Sequence, residues 1–305
     1  MSDTAGRGAA PVALFVYNRL EHARQTVEAL SRNELASVTD LIVFSDAPRS
    51  GAEQPAVQAV RDFVKTVGGF RSVELIERTA NLGLAQSIIS GVTTVCGEYG
   101  RVIVMEDDLV TSAGFLGFMN DALQTYEADE RVGSIHGYWY PVVAELPPTF
   151  LLRGASCWGW ATWSRAWRLF EPDGSKLLGE LKRQNLTSAF DLDGAIGYTR
   201  MLQMQIRGRI DSWAIRWHAS MFLANRLQLS PSVSLVRNIG FDGTGTHCAD
   251  SEDYEVQPGA TAPGASRIPL QESAAARNAL IRYHRSTRRS LPTRVFGRLR
   301  RMVGI

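Results

Sequence analysis

Residues 101–110 read RVIVMEDDLV, an apolar run of β-forming residues that stops at three successive carboxylates, Glu106, Asp107 and Asp108. Like charges side by side repel, so a buried strand that ends this way calls for a cation nearby. Three similar apolar runs precede it: Val12–Tyr17 (VALFVY), Leu41–Phe44 (LIVF) and Val73–Ile76 (VELI). Each run is followed by apolar residues at helical spacing. These are Leu20, Ala23, Val27 and Leu30 after the first, then Val57, Val60, Phe63, Val64 and Val67, then Leu84, Ile88, Val92 and Val95. After Val102–Met105 the same spacing returns at Phe115, Phe118, Met119, Ala122 and Tyr126. Four strand–helix units in succession predict an α/β fold with a mostly parallel sheet and helices on both faces. Ligands of such sheets bind beyond the carboxyl ends of the strands. Here those ends are Asn18–Arg19, Ser45–Asp46, Arg78–Asn81 and Glu106–Asp108.

The second half of the chain is less regular. Residues 132–152 hold short strand-like pieces, 175–227 read as largely helical, and Val233–Val236 reads as a late strand. Residues 249–275 are acidic, then rich in Pro, Ala and Ser, and read as a loosely packed linker. Residues 1–10 read as a disordered, small and polar N-terminus without the apolar core of a secretory signal. No window approaches 18 apolar residues, so no transmembrane helix is expected. Three cysteines, an odd number without metal-ligand spacing, fit a reducing compartment, and a cytoplasmic protein is expected. The formal net charge of +2 is uneven: from Ala276 to Ile305 there are nine Arg and no Asp or Glu, which leaves about −7 (2 − 9) on the remainder. Mixed with Leu, Val, Phe, Met and Ile, those arginines suit an amphipathic tail on an anionic membrane surface, broken by Pro292. The other readings of the tail are a solvated segment or a nucleic-acid contact, and no nucleic-acid partner is expected of the chain as a whole.

Carboxylate oxygens are hard ligands suited to Mn²⁺ or Mg²⁺, which share such sites with phosphate oxygens. A divalent ion on the acidic triplet could neutralise a diphosphate leaving group. The alternative is a solvated acidic turn or a helix N-terminus that favours Asp.

The succession FVYNR, IVFSDAPR, RTANLGLAQS and VIVMEDDLVTSAGFLGFM resembles nucleotide-sugar-dependent glycosyltransferases of the GT-A (Rossmann-like) fold, nearest to bacterial relatives of N-acetylglucosaminyltransferase I. The resemblance runs from about Pro11 to His247 and implies a glycosyltransferase domain over 11–248. Residues 11–130 would bind the nucleotide-sugar and 131–248 the acceptor, with a linker over 249–275 and the basic tail over 276–305. It implies a UDP-sugar donor, a glycan or lipid-linked saccharide acceptor, and Mn²⁺ (or Mg²⁺). The triplet matches an EDD form of the DXD motif, which makes Asp108 the metal ligand. Glu106 and Asp107 then hold the ribose, the donor sugar or the outer shell of the metal. Arg19 matches the arginine that contacts the nucleotide. Asp46 matches the aspartate that accepts from the uracil N3–H, as an acceptor-only carboxylate suits; its other reading is a turn cap before Ala47–Pro48. Asn81 and Gly83 fall near the diphosphate, although Asn-x-Gly is common in turns.

Residues 209–217, RIDSWAIRW, resemble the stretch that carries the family's catalytic Asp. Asp211 is the candidate base that removes the acceptor proton, and its alternative is the N-cap of the helix that follows. The family's neighbouring second carboxylate is Ser212 here. The loop NIGFDGTGTH resembles a segment that orders over the diphosphate, with His247 or Thr246 as phosphate donors. All seven tryptophans fall between 139 and 217. Flat rings with a polar handle suit the apolar face of a sugar, so Trp158, Trp160 and Trp213 are acceptor-side candidates and His136 a weaker one. Trp163 and Trp167 read as core. Two other classes compete: a sugar-nucleotidyltransferase, disfavoured because FVYNRLEHAR contains no glycine, and a non-catalytic nucleotide- or saccharide-binding protein. A dinucleotide oxidoreductase is excluded, since no G-x-G-x-x-G follows a strand.

Overall fold

The structure, a computed structural model, describes residues 8–242 and 252–287. The four strand–helix units are present in the order the apolar spacing predicts. They are β1 (Val12–Val16) with α1 (Leu20–Ser31), β2 (Asp40–Ser45) with α2 (Gln54–Lys65), and β3 (Ser72–Glu77) with α3 (Leu84–Tyr99). The fourth is β4 (Arg101–Glu106), a short β5 (Leu109–Thr111), and α4 (Phe115–Thr125). The second half contributes β6 (Val132–His136), β7 (Thr149–Arg153), β8 (Trp160–Trp163), α5 (Ser164–Trp167) and α6 (Gly174–Arg183). It continues with α7 (Thr187–Phe190), α8 (Tyr198–Ile206), α9 (Trp213–Leu223), β9 (Leu227–Pro231), β10 (Val236–Asn238) and α10 (Ala274–Thr287).

Eight strands form one sheet in the order β3-β2-β1-β4-β8-β6-β9-β7. Pairing is parallel from β3 through β4 and between β6 and β9, while β8 and β7 run antiparallel to their neighbours. The sheet is therefore mainly parallel with helices on both faces, as the four strand–helix units predict. β1 is buried at every position, which is why VALFV lacks the alternation of a one-faced strand. Along β4 the faces divide. Ile103 and Met105 join a core with α1 and α4, and Val102 and Val104 join one with α3 and α9.

Four readings of the sequence are corrected here. The strand read at Val233–Val236 is β10, displaced to Val236–Asn238, and it pairs antiparallel with β5 outside the main sheet. Val233 is left half exposed on the bend before it. The stretch read as a loose linker is packed over its described part. The Tyr126 hydroxyl donates to the Ser266 carbonyl (3.2 Å) and accepts from the Ile268 N–H (3.0 Å), and Arg267 pairs with Asp129 (2.6 Å). The start of the basic tail is no free amphipathic helix, because Ala276 and Leu280 of α10 pack on Trp139, Phe150 and Leu152. Just before α10, the Ser273 N–H donates to the Leu151 carbonyl (2.8 Å) and Glu272 accepts from the Arg153 N–H (3.0 Å). Of the segment read as a disordered N-terminus, Ala10 is buried and its N–H donates to Asn120 Oδ1 (2.8 Å). Residues 1–7 lie outside the described residues, as does the tail after Thr287.

α3 packs so closely on β1 and β2 that a Cβ at Gly91 would lie 2.6 Å from Phe15 Cε1 and 3.2 Å from Phe44 Cε2. Those two rings stack at 5.0 Å and are themselves nearly fully buried. Gly91→Ala is expected to lower stability by about 1–3 kcal/mol through overpacking. Urea unfolding should show a lower midpoint at an unchanged m-value.

Candidate functional site

The carboxyl ends of β1, β2 and β4 lie side by side, so Arg19, Asp46 and the acidic triplet gather at one rim of the sheet. Arg19 stands at the N-cap position of α1. Its Nη2 pairs with Asp107 Oδ1 and, at 2.8 Å, with Asp108 Oδ2. Its Nη1 has no partner among the described residues. The Thr26 hydroxyl, two turns further along α1, donates to the Asp107 carbonyl (2.8 Å) and fixes the helix against the triplet. Asp107 is buried (5% exposed), and Glu106, which continues the Val104 face of β4, is half-buried.

One arginine does not neutralise three carboxylates in this setting. Burial, then the charges of Asp108 and Asp107, hold the Glu106 carboxyl well above its ordinary range despite Arg19. Asp107 is also raised, because burial and the Asp108 charge outweigh the pull of Arg19. For Arg19 itself burial opposes the charge, but the two aspartates outweigh it and keep the guanidinium firmly protonated.

At the end of β2, Asp46 is buried (6% exposed) and tied to a turn. Its carboxylate accepts from the N–H groups of Ala47 (3.1 Å), Leu82 (2.9 and 3.0 Å) and Gly83 (2.9 Å). Asn81 Nδ2 donates to the Ala47 carbonyl (2.6 Å) and closes the same turn. Gly83 has φ +75°, a conformation that side chains strain, and it is the N-cap position of α3. Asp46 and Asn81 thus share one side of the rim, where both hold the turn. Arg61, which sequence reasoning missed, lies beneath it: from α2 its buried guanidinium reaches Ser45, the Asp46 and Arg78 carbonyls and Glu77.

Asp211 reaches this turn from the other half of the chain, since a Cβ at Gly83 would be 3.6 Å from Asp211 Oδ2. The cap role weighed for it falls to Ser212, whose hydroxyl accepts from the Ile215 N–H (3.3 Å) at the start of α9. Asp211 remains 61% exposed, with Arg216 Nη2 at 3.8 Å. Two acceptor-side tryptophans are corrected. Trp160 is fully buried and Trp213 is 3% exposed; they stack at 5.3 Å and pack with Trp167 and Trp217 into a wall between β8 and α9. Their indoles serve the core and present no face to a cleft. Trp158 is half-buried and meets Tyr138, Phe241 and Tyr254 edge-on. His136 is buried away from the rim and is taken up below.

The β5–β10 pair brings the NIGFDG loop onto the triplet. The Ile239 N–H donates to the Asp108 carbonyl (2.8 Å), and a Cβ at Gly240 would lie 2.2 Å from Asp108 Oδ2. Only glycine allows that approach, which makes Gly240 a site residue visible in the sequence only as one glycine of a loop. Thr246, His247 and Cys248 lie outside the described residues.

Among the described residues no three His, Cys, Asp or Glu side chains are grouped to enclose a metal ion. The triplet fits a hard divalent ion in the open manner, through one or two carboxylates with the remaining positions left to water or ligand oxygens. Its under-neutralised charge favours such an ion.

No family model and no curated protein matches the chain. Among solved structures it is similar to the mannosyltransferase PcManGT from Pyrobaculum calidifontis in complex with GDP-Man and Mn²⁺, with 20% identity over 47% of this chain and 37% of that one, TM-score 0.33. It is also similar to S. aureus TarS, with 12% identity over 45% of this chain and 23% of that one, TM-score 0.31. For TarS 1–349 the figures are 9%, 57%, 49% and 0.33. The chain spans less than half the length of each, and overlap of this extent assigns no role to any residue of the rim.

A raised carboxylate favours the folded state when protonated. The Glu106 contribution is therefore full below the ordinary carboxylate range and is lost as pH rises through its folded value, about 8. Glu106→Gln is expected to match the parent in thermal midpoint near pH 4 and to exceed it above pH 8. Melting curves of both metal-free proteins across that range check this.

Proposed function

We propose that the protein is a metal-dependent inverting glycosyltransferase that moves a sugar from a UDP-sugar to a hydroxyl of a glycan or lipid-linked saccharide. The observation that carries this reading is the under-neutralised triplet at the rim, with the exposed Asp211 carboxylate reaching the neighbouring Asp46–Gly83 turn. The resemblance of its motifs to bacterial relatives of N-acetylglucosaminyltransferase I agrees with it. Bound Mn²⁺ or Mg²⁺ would supply positive charge to the diphosphate as it leaves.

The chain's own residues have the following parts. Asp108 would hold the ion, with Glu106 and Asp107 beside it toward the ribose and donor sugar. Arg19 has an Nη1 without a partner among the described residues, and a phosphate oxygen would satisfy it. Asn81 and Gly83 would sit near the diphosphate, and His247 would add a donor from the loop. Asp46 would meet the base; its carboxylate already accepts four backbone contacts, so uracil must share an oxygen with one of them. Asp211, one residue before the Ser212 cap, is free to take the proton of the acceptor hydroxyl as its oxygen attacks the anomeric carbon. Attack from the side opposite the leaving UDP inverts that centre. Trp158 would flank the acceptor.

No helix among the described residues is long and apolar enough to cross a membrane. The six arginines after Thr287 carry the charge for docking on an anionic lipid surface, which would bring a cytoplasmic enzyme to a lipid-linked acceptor.

Calorimetric titration of UDP with and without Mn²⁺, followed by UDP release from a panel of UDP-sugars, tests the proposal. Asp108→Asn is expected to abolish the Mn²⁺-dependent part of UDP binding. Asp211→Asn should bind UDP and Mn²⁺ like the parent while transfer falls about 10²–10⁴-fold. Nucleotide binding indifferent to Mn²⁺ would overturn the metal assignment, and full transfer by Asp211→Asn would remove the base.

A further inference from the structure

A polar cavity lies on the same sheet face as Glu106, beyond the tryptophan wall. Trp160 of β8 separates the two, since it pairs with Val104 of β4 on one side and His136 of β6 on the other. The cavity measures about 70 Å³ and lies between β6, β7 and β9 and the helices α7 to α10. The cavity is partly open to solvent, so a ligand larger than its enclosed space would seat one edge inside and project outward.

Its floor is built from buried hydrogen-bonding groups left over. His136, Trp139 and Gln228 line it and are 2%, 3% and 4% exposed. His136 Nε2, Trp139 Nε1 and Gln228 Oε1 have no partner among the described residues. The orientation of Gln228 is set by its Nε2, which donates to the hydroxyls of Ser156 (3.2 Å) and Ser230 (3.1 Å). Three unpaired polar atoms in one buried space are a departure from the rule that such groups find partners. Burial lowers the His136 and His218 imidazoles to about 3 and about 4, so both rings are neutral near pH 7. The charged groups of the lining are Arg153, Glu272 and Arg277: Arg277 pairs with Asp193 (2.8 Å) and lies 4.0 Å from Glu272, Glu272 also accepts from the Arg153 N–H (3.0 Å), and Arg153 gives its Nε–H to the Phe222 carbonyl (2.9 Å). Tyr140, Phe190 and Tyr198 add aromatic walls. Neutral donors and acceptors on the floor with flat rings around them match a ligand that carries hydroxyls and an apolar face but no charge.

We propose that this cavity is a separate binding site for one uncharged saccharide unit, held by His136, Trp139 and Gln228. It needs no donor, no metal and no transfer, so it stands whether or not the rim is a glycosyltransferase site.

The test is a titration of the full-length, ¹⁵N-labelled protein with the methyl glycosides of glucose, galactose, mannose and N-acetylglucosamine. The indole N–H signal of Trp139 is identified by its loss in Trp139→Phe. At least one glycoside is expected to shift that signal saturably in the parent protein. Gln228→Leu, shown to be folded by its dispersed spectrum, should weaken the binding at least about tenfold, and Asp108→Asn should leave it unchanged. The parent titration decides the matter alone if Gln228→Leu fails to fold. A Trp139 signal unmoved by every glycoside leaves water as the only occupant and overturns the proposal. A response to glucuronate or inorganic phosphate alone would make the site an anion site, and loss of binding in Asp108→Asn would move the saccharide to the rim; either result also overturns it.

Discussion

The pairing of Arg19 with Asp107 and Asp108 is the constraint from which the rim takes its form. A helix N-terminus is the position least suited to a cation, because the peptide dipoles already place positive potential there. Arg19 nevertheless occupies the N-cap position of α1, and its two aspartate partners account for it. The Thr26 contact to the Asp107 backbone makes the arrangement rigid on the helix side. The β5–β10 pair does so on the other, with Gly240 against Asp108. Between these supports the three carboxylates cannot spread apart to relieve their repulsion. That is why Glu106 and Asp107 are raised while one arginine remains bound.

The rest of the sheet divides the molecule into two polar regions on one face. The wall of Trp160, Trp167, Trp213 and Trp217 keeps the rim and the cavity around His136 and Gln228 from merging. Large rings are suited to this task. Four indoles in mutual contact fill a wide area between the two polar regions with little rotamer freedom to lose. Asp211 lies just before Trp213, so the same helix start that completes the wall also presents the exposed carboxylate.

The first half of the fold was legible because each element there carries its own periodicity. The runs at 12–16, 41–44 and 102–105 are buried on both faces, the edge run at 73–76 leaves Glu74 exposed, and the helices between them bury one stripe each. The rim was legible for the same reason: strand ends are fixed once the strands are. The second half was harder to read. β8 reads WATW, four residues whose aromatics suit a ligand wall as well as a core, and only pairing with β4 and β6 decides between them. The 252–275 segment lacks any periodicity, yet it packs through single contacts such as Tyr126 with Ser266 and Ile268, which no local pattern encodes. Arg61 and Gly240 belong to the rim through contacts that are distant in sequence, and the sequence marks neither of them.

An eight-stranded sheet that does not close has two outer strands, and this protein guards them by different means. β3 sets Ser72, Glu74 and Glu77 along an exposed border, where charge discourages any further strand from joining. β7, TFLLR, has almost no such protection in its own side chains. The chain supplies the protection from more than a hundred residues away, with Ser273 and Glu272 occupying the Leu151 carbonyl and the Arg153 N–H. A molecule clipped ahead of these two residues would keep the rim residues but lose this guard together with α10, which packs on Trp139, Phe150 and Leu152. It would then offer a bare, greasy ribbon to its neighbours, so the segment that helps to wall the cavity is also the one that keeps this edge from pairing with another chain.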